Sequence, residues 1–147
     1  GGEMRLEELQ VYNLAMDIGE RVWVIVEKWN YFQKDTVGKQ WVRAADSMAA
    51  NLSEGFGRFH YKENRQFCYY SRGSLFETKT WLTKAHKRRI VGEDEYHSLV
   101  KDLNVIGIKL NNYIKSIGTQ GTTDRVKESP ATYLENWDDN DSCEAAQ

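Results

Sequence analysis

The chain has very little proline. Its one proline, Pro130, lies far along the 147 residues, so every position before it is free of this residue. Because proline removes a backbone N–H and disrupts the interior of a helix, its absence there permits long helices. Hydrophobic residues make up 40% of the chain, which is sufficient for the core of one domain of this length.

Long apolar runs and cysteine are also scarce. No stretch approaches the roughly 20 apolar residues of a membrane-spanning helix, and the first residues lack the basic and then apolar order of a signal peptide. Cys68 and Cys143 are the only cysteines, too few for a disulfide framework. A reducing compartment fits this usage, so we expect a cytoplasmic protein that does not contact membranes.

Patterns of catalysis and metal binding are lacking as well. The three histidines, His60, His86 and His97, form neither a His-x-x-x-His pair nor a Glu-x-x-His pair. There is no nucleophile elbow, and no glycine-rich loop is followed by the Lys-Ser/Thr pair that binds phosphate. We therefore expect no metal, no cofactor and no catalytic residue, and we predict that the protein is not an enzyme.

What the sequence does contain is helical periodicity. Apolar residues recur at steps of three and four in four stretches, at about residues 9–30, 36–54, 62–89 and 93–117. Short links join these stretches, so neighbouring helices should run antiparallel. The predicted fold is all-α, with one up-and-down four-helix bundle at residues 9–117.

The predicted ends of the second helix depend on polar residues and glycines. Asp35 or Thr36 can cap its start by accepting a backbone N–H. Gly55 and Gly57 are expected to end it, because glycine adopts the left-handed conformation that follows many helices.

Charge is unevenly distributed, although the formal net charge is only −2. Residues 58–89 contain nine lysines and arginines against two acids, a net charge of +7. From Gly118 onward there are seven acids against two bases, a net charge of −5, and the periodicity stops. We predict a disordered acidic tail at 118–147 and a short amino-terminal tail at 1–8. The opposite charges raise the hypothesis that the acidic tail folds back on the third helix.

The third helix also alternates bases with aromatic residues along one face, and we call Arg65, Tyr69, Arg72, Phe76 and Lys79 the basic stripe. The complete set of predicted binding residues is Arg58, Lys62, Arg65, Tyr69, Arg72, Phe76, Lys79, Lys87, Arg88 and Arg89. Such a surface suits base stacking and phosphate contacts with nucleic acid. It equally suits a contact between subunits or with another protein, and a solvated face is the third interpretation.

The loop at residues 54–61 alternates glycines with aromatic residues. It suits the stacking of bases, or else it is a tight turn whose aromatic rings cover the end of the bundle.

A further polar set lies on the second and third helices: Arg43, Ser47, Asn51, Glu54, Ser74 and Glu77. We expect a polar layer that joins Arg43 to Glu77, and Asn51 to Ser47 or Ser74, and that fixes the helix register. The alternative is a set of surface groups at a subunit contact.

The pattern Arg-Ala-Ala-x-Ser-x-x-x-Asn-x-x-Glu-Gly-x-Gly-Arg at residues 43–58 is followed by Lys-Glu at 62–63 and Gly-Ser-Leu-Phe-Glu at 73–77. It resembles the four-helix-bundle family encoded in intervening sequences of bacterial 23S ribosomal RNA genes, over about residues 9–117. His60 departs from the family, which usually has serine there, and the acidic tail is not a family feature.

This resemblance implies a bundle that assembles into a ring-like homo-oligomer, most commonly a pentamer. It also implies kinship with the accessory variability proteins of diversity-generating retroelements, which partner a reverse transcriptase and bind nucleic acid. We therefore expect a non-enzymatic accessory protein associated with RNA or single-stranded nucleic acid, which assists a reverse transcriptase or a process linked to ribosomal RNA. The alternative is a protein-binding scaffold without affinity for nucleic acid.

Overall fold

The computed structural model describes residues 4–120, and these residues form four long helices without any strand. The helices are α1 (Gln10–Glu27), α2 (Lys39–Phe56), α3 (Tyr61–Lys87) and α4 (Glu93–Gln120), and a short 3-10 helix, Leu6–Glu8, precedes α1. The predicted all-α class is confirmed. Helix α4 includes residues 118–120, which the sequence had placed in the tail, and the rest of the predicted acidic tail lies outside the described residues.

The helices pack as a four-membered bundle. Helices α1 and α3 each pack against both α2 and α4, so α1 and α3 occupy opposite corners. The core consists of the apolar faces that the periodicity predicted, and Trp41, Leu75 and Leu110 are fully buried. Arg21 of α1 forms an ion pair with Asp102 of α4 at the edge of this core. The short links place the end of α2, the start of α3 and the end of α4 at one end of the bundle.

The second helical stretch starts earlier than predicted. The side-chain oxygen of Asn30 accepts the Gln33 backbone N–H at 2.9 Å, and the Gln33 side chain accepts the Asn30 N–H at 3.3 Å. This capping box precedes a short helical turn, Tyr31–Gln33, and a π-helix, Lys34–Gly38, which continues into α2. The prediction that Asp35 or Thr36 caps this helix is wrong, because both lie inside the π-helix.

The turn between α2 and α3 does not use a left-handed glycine. Among residues 4–120 no glycine has a positive φ, and Gly57 ends α2 with φ at −77°. Gly55 is buried within the helix, where a Cβ atom would lie 2.7 Å from Asn64 Oδ1 and 2.8 Å from Phe67 Cβ. The glycine therefore permits close approach of α2 and α3, and the predicted conformational role is wrong.

The end of α3 does contain a left-handed residue, and it is Arg89, with φ at 62°. Its N–H donates to the His86 carbonyl and the Ile90 N–H donates to the Ala85 carbonyl, both at 3.0 Å. This is the Schellman arrangement, in which glycine is the usual residue. A side chain in this conformation costs about 1–2 kcal/mol.

Candidate nucleic-acid interface

The basic stripe lies on the side of α3 that faces α4, and all five of its members are half-buried. We call the surface between the stripe and α4 the α3–α4 groove. Lys79 Nζ donates to Asn104 Oδ1 of α4 at 3.2 Å. At the other end of the stripe, Arg65 Nη1 lies 3.9 Å from the position that a Cβ atom on Gly118 would take. The stripe therefore forms one wall of this groove. Nucleic-acid binding, a protein contact and a solvated face all remain interpretations of a surface that α4 partly covers.

The opposite wall of this groove comes from α4. Asn104, Asn111 and Gly118 are spaced by seven residues, which places them on one face of the helix. Asn111 Oδ1 is buried and has no hydrogen-bond partner within the described part of the chain. The groove thus presents basic and aromatic side chains on one side and amide groups on the other. The seven-residue spacing of these α4 residues is visible in the sequence, but the sequence does not show that they face the basic stripe of α3.

Burial changes the chemistry of the groove's aromatic residues. It raises the pKa of the Tyr69 hydroxyl, and the positive charges of Arg65 and Arg72 partly oppose that effect. Tyr69 therefore stays protonated at neutral pH and can donate a hydrogen bond. The guanidinium of Arg72 lies over the Phe76 ring, 4.9 Å from its centroid, which is a cation–π contact.

The loop between α2 and α3 places exposed aromatic rings beside basic side chains. Phe59 is 93% exposed and Tyr61 is 50% exposed. Arg58 pairs with Glu54 at 2.8 Å and lies over the Phe67 ring at 4.9 Å, so its guanidinium is held at this corner. The prediction that the loop's aromatic rings cover the end of the bundle does not fit Phe59. We call Arg58, Phe59, Tyr61 and Lys62 the corner patch.

The structure does not bring all the predicted binding residues together. Arg58, Lys62 and Arg65 cluster at the end of the bundle where α3 starts, whereas Lys87, Arg88 and Arg89 lie where α3 ends. The 25 residues from Lys62 to Lys87 correspond to about 38 Å along the helix axis. The predicted surface is therefore two basic regions joined by the groove.

The hydrogen bonds of the predicted polar layer follow α2 instead of crossing to α3. Ser47 Oγ donates to the Arg43 carbonyl at 2.7 Å, and Asn51 Nδ2 donates to the Ser47 carbonyl at 2.9 Å. The side chains of Arg43 and Glu77 are exposed, and among residues 4–120 they form no ion pair with each other. Ser74 is half-buried, and its carbonyl accepts the hydroxyl of a neighbour on its own helix.

Other residues make the polar links between helices. Ser71 Oγ, which is buried, donates to the Met48 carbonyl at 2.9 Å. Asn64 Nδ2 donates to the Tyr113 hydroxyl at 3.2 Å and aligns the start of α3 with the end of α4. Burial raises the pKa of Tyr113, although its bond to Asn64 acts in the opposite direction. Ser71 lies on the buried face of α3 with Cys68 and Leu75, and this helical spacing is the sequence signal that could have identified it.

Fold and site together define an all-α bundle protein with a basic groove and an exposed aromatic corner. Residues 7–112 match the family model of the 23S rRNA-intervening sequence protein. The match covers more than half of the chain, so the chain belongs to this family, and the resemblance seen in the sequence is confirmed.

A solved structure has a similar fold. It is a protein of unknown function from the S23 ribosomal protein family of Bacteroides thetaiotaomicron, with a TM-score of 0.67 and 21% identity. The similarity covers 71% of this chain and 95% of that chain, and at this identity it shows the fold alone. No match was found among curated proteins. Within residues 4–120, no helix has both the length and the apolar character needed to cross a bilayer.

Proposed function

We propose that this protein is a non-enzymatic accessory protein that binds single-stranded RNA at the corner patch. The observation that carries the proposal is the exposure of Phe59 and Tyr61 next to Arg58 and Lys62. Unpaired nucleobases stack on exposed aromatic rings, which contributes about 1–3 kcal/mol per nucleobase. Neighbouring lysine and arginine side chains bind the phosphates. Phe59, which is 93% exposed, buries little area in the bundle and is therefore accessible for stacking.

The family name supports RNA as the ligand, since it associates these proteins with intervening sequences of 23S rRNA. The groove extends the patch from Lys62 to Arg65 and the rest of the basic stripe, along which an RNA backbone can continue. A reverse transcriptase is the protein partner to test first, because of the kinship with accessory variability proteins. A scaffold that binds only protein is the outcome if RNA does not bind.

The protein is further proposed to act as a homo-oligomer, with the ring-like pentamer that the family resemblance implies. Met16 and Trp23 lie seven residues apart on the outer face of α1 and are 44% and 54% exposed. Large apolar side chains on one exposed face are typical of a subunit contact. A ring repeats the corner patch once in each subunit and thereby increases the affinity for a long RNA through multivalency.

The test measures the binding of labelled single-stranded RNA by anisotropy across a salt series, with light scattering for mass. Replacing Phe59 and Tyr61 with Ala should weaken binding about tenfold or more at every salt concentration. Replacing Arg58 and Lys62 with Gln should weaken binding and reduce its salt dependence by about two phosphate contacts.

The matched control replaces Lys28 and Lys34 with Gln, since both are exposed and lie at the opposite end of the bundle. It should bind like the unaltered protein. RNA binding that neither corner variant reduces, or no binding at low salt, overturns the proposal and favours the scaffold. A mass of 17.1 kDa, that of one chain, overturns the oligomer.

A further inference from the structure

We propose that residues 121–147 bind in the α3–α4 groove of their own chain and compete there with polyanions. The competition rests on the proposed function, but the docking itself does not. The acidic segment is thereby assigned a site, namely the basic stripe and the line of α4 residues that faces it.

The first argument is the place where the described part of the chain ends. Helix α4 is described as far as Gln120, two residues beyond Gly118, which lies beside the Arg65 guanidinium. The bond between Asn64 and Tyr113 holds this end of α4 against the start of α3. The described part of the chain therefore ends at one end of the groove, next to Arg65, the first basic residue of the stripe.

The second argument is chemical complementarity. Residues 128–147 contain six acids and no lysine or arginine, and Tyr133, Leu134 and Trp137 lie among them. The groove offers the matching groups, because its arginines lie beside aromatic rings. Acidic side chains favour the arginines, and the aromatic side chains favour the half-buried rings of the stripe.

The third argument is reach. The 14 residues from Arg65 to Lys79 span about 21 Å of helix. The 27 residues beyond Gln120 extend to as much as about 90 Å, so the acidic aromatic part reaches the whole stripe. Because the segment is attached to the bundle, its effective concentration at the groove is on the order of millimolar, and modest affinity suffices for docking.

Docking is measured on the full chain, without RNA, by attaching a spin label to Cys143 and recording the NMR signals of backbone amides. Cys68 does not compete for the label, because it is fully buried and burial raises the pKa of its thiol to about 12. We expect line broadening at Arg72 and Asn111, and much less at Asp17 on α1, which lies at the opposite corner. Equal broadening on all faces overturns the proposal.

The variant Glu135→Gln, Asp138→Asn, Asp139→Asn should lose most of this broadening and bind RNA about tenfold more tightly, because the competitor in the groove is weakened. The matched control, Glu27→Gln, Asp94→Asn, Glu95→Gln, removes the same charge from exposed positions at the far end of the bundle. It should change neither measurement.

Two further outcomes separate the proposals. Broadening that stays equally strong in a mixture in which the spin label and the isotope label are on different chains would place the segment on a neighbouring subunit and overturn docking in the same chain. Broadening of the groove in a protein that binds no RNA would support docking and overturn the proposed function.

Discussion

At Gly55 the distance between two helices depends on the absence of a side chain. The nearest atoms to its missing Cβ belong to Asn64 and Phe67, which both lie in the first two turns of α3. The turn of α2 that precedes the corner patch can therefore pack directly against the start of α3, and the patch is positioned by this contact.

We predict that Gly55→Ala destabilises the protein by about 1–3 kcal/mol, because the methyl group requires α2 and α3 to separate. Gly73→Ala is the matched control, since nothing lies within 4 Å of its missing Cβ. That change should stabilise the exposed helix by about 0.5–1 kcal/mol. Urea unfolding of both variants measures the difference, and equal effects of the two changes would contradict the close-contact explanation.

At the scale of single residues, the sequence predicts which side chains are buried better than it predicts the distances between helices. The spacing of Trp41 and Leu75 indicates burial, and both are fully buried, because the period of a helix determines which residues share a face. The capping box of Asn30 and Gln33 was also readable as a pattern, although the helix start had been placed later. The role of Gly55 was not, because the pattern of residue types contains no distance between helices.

At the scale of elements, the connection between α3 and α4 contains a pH-dependent contact. His86 Nε2 and Glu93 Oε1 are 2.7 Å apart, and the His86 ring stacks on Tyr96 with centroids 3.9 Å apart. The hydrogen bond from His86, followed by the charges of His86 and His97, lowers the pKa of Glu93 below its ordinary value of 4.5. The contact thus joins the last turn of α3 to the first turn of α4.

Because the folded state lowers the pKa of Glu93, this carboxylate contributes stability above its unfolded pKa and loses it as the pH falls through the folded value. We predict that Glu93→Gln melts at a lower temperature than the unaltered protein at about pH 6, and that the two converge as the pH falls through the folded pKa of Glu93. Thermal melts across this range test it, with Glu95→Gln as the control. A difference that persists at the acidic end would contradict this origin.

The elements themselves were predicted to within a few residues, except at the π-helix. Side-chain spacing reports which residues face the core, but a π-helix is a change in backbone hydrogen bonding over Lys34–Gly38. The sequence also predicted the basic residues along α3, but it did not show that α4 covers one side of these residues. That arrangement brings together residues that are far apart in the sequence, such as Lys79 and Asn104, which are 25 residues apart and joined by a hydrogen bond.

For the molecule as a whole, Cys68 reports the opening of the bundle. Its thiol is fully buried, and burial raises its pKa to about 12. The thiol is therefore hardly ionised near neutral pH, and reaction requires the thiolate. The core must therefore open before a reagent can modify this residue.

We predict that in the Cys143→Ser variant the Cys68 thiol reacts with a disulfide reagent far more slowly in the native protein than in urea. The rate should rise with urea in parallel with the loss of helical circular dichroism, because both follow the open state. Peptides containing free cysteine provide the reference rate. Rapid reaction of the native protein at neutral pH would show that the core around Cys68 is accessible without unfolding.

The diagonal placement of α1 and α3 has a consequence for encounters in solution. Helix α1 has three acids and one base, and α3 has six lysines and arginines against two acids, so their net charges are −2 and +4. Their axes are separated by about 13 Å across the bundle, given the usual spacing of packed helices. The described bundle therefore has an electric dipole moment perpendicular to its helices. In the field of any nearby polyanion this dipole would experience a torque that turns the α3 side towards it, and salt would weaken the torque by screening the field.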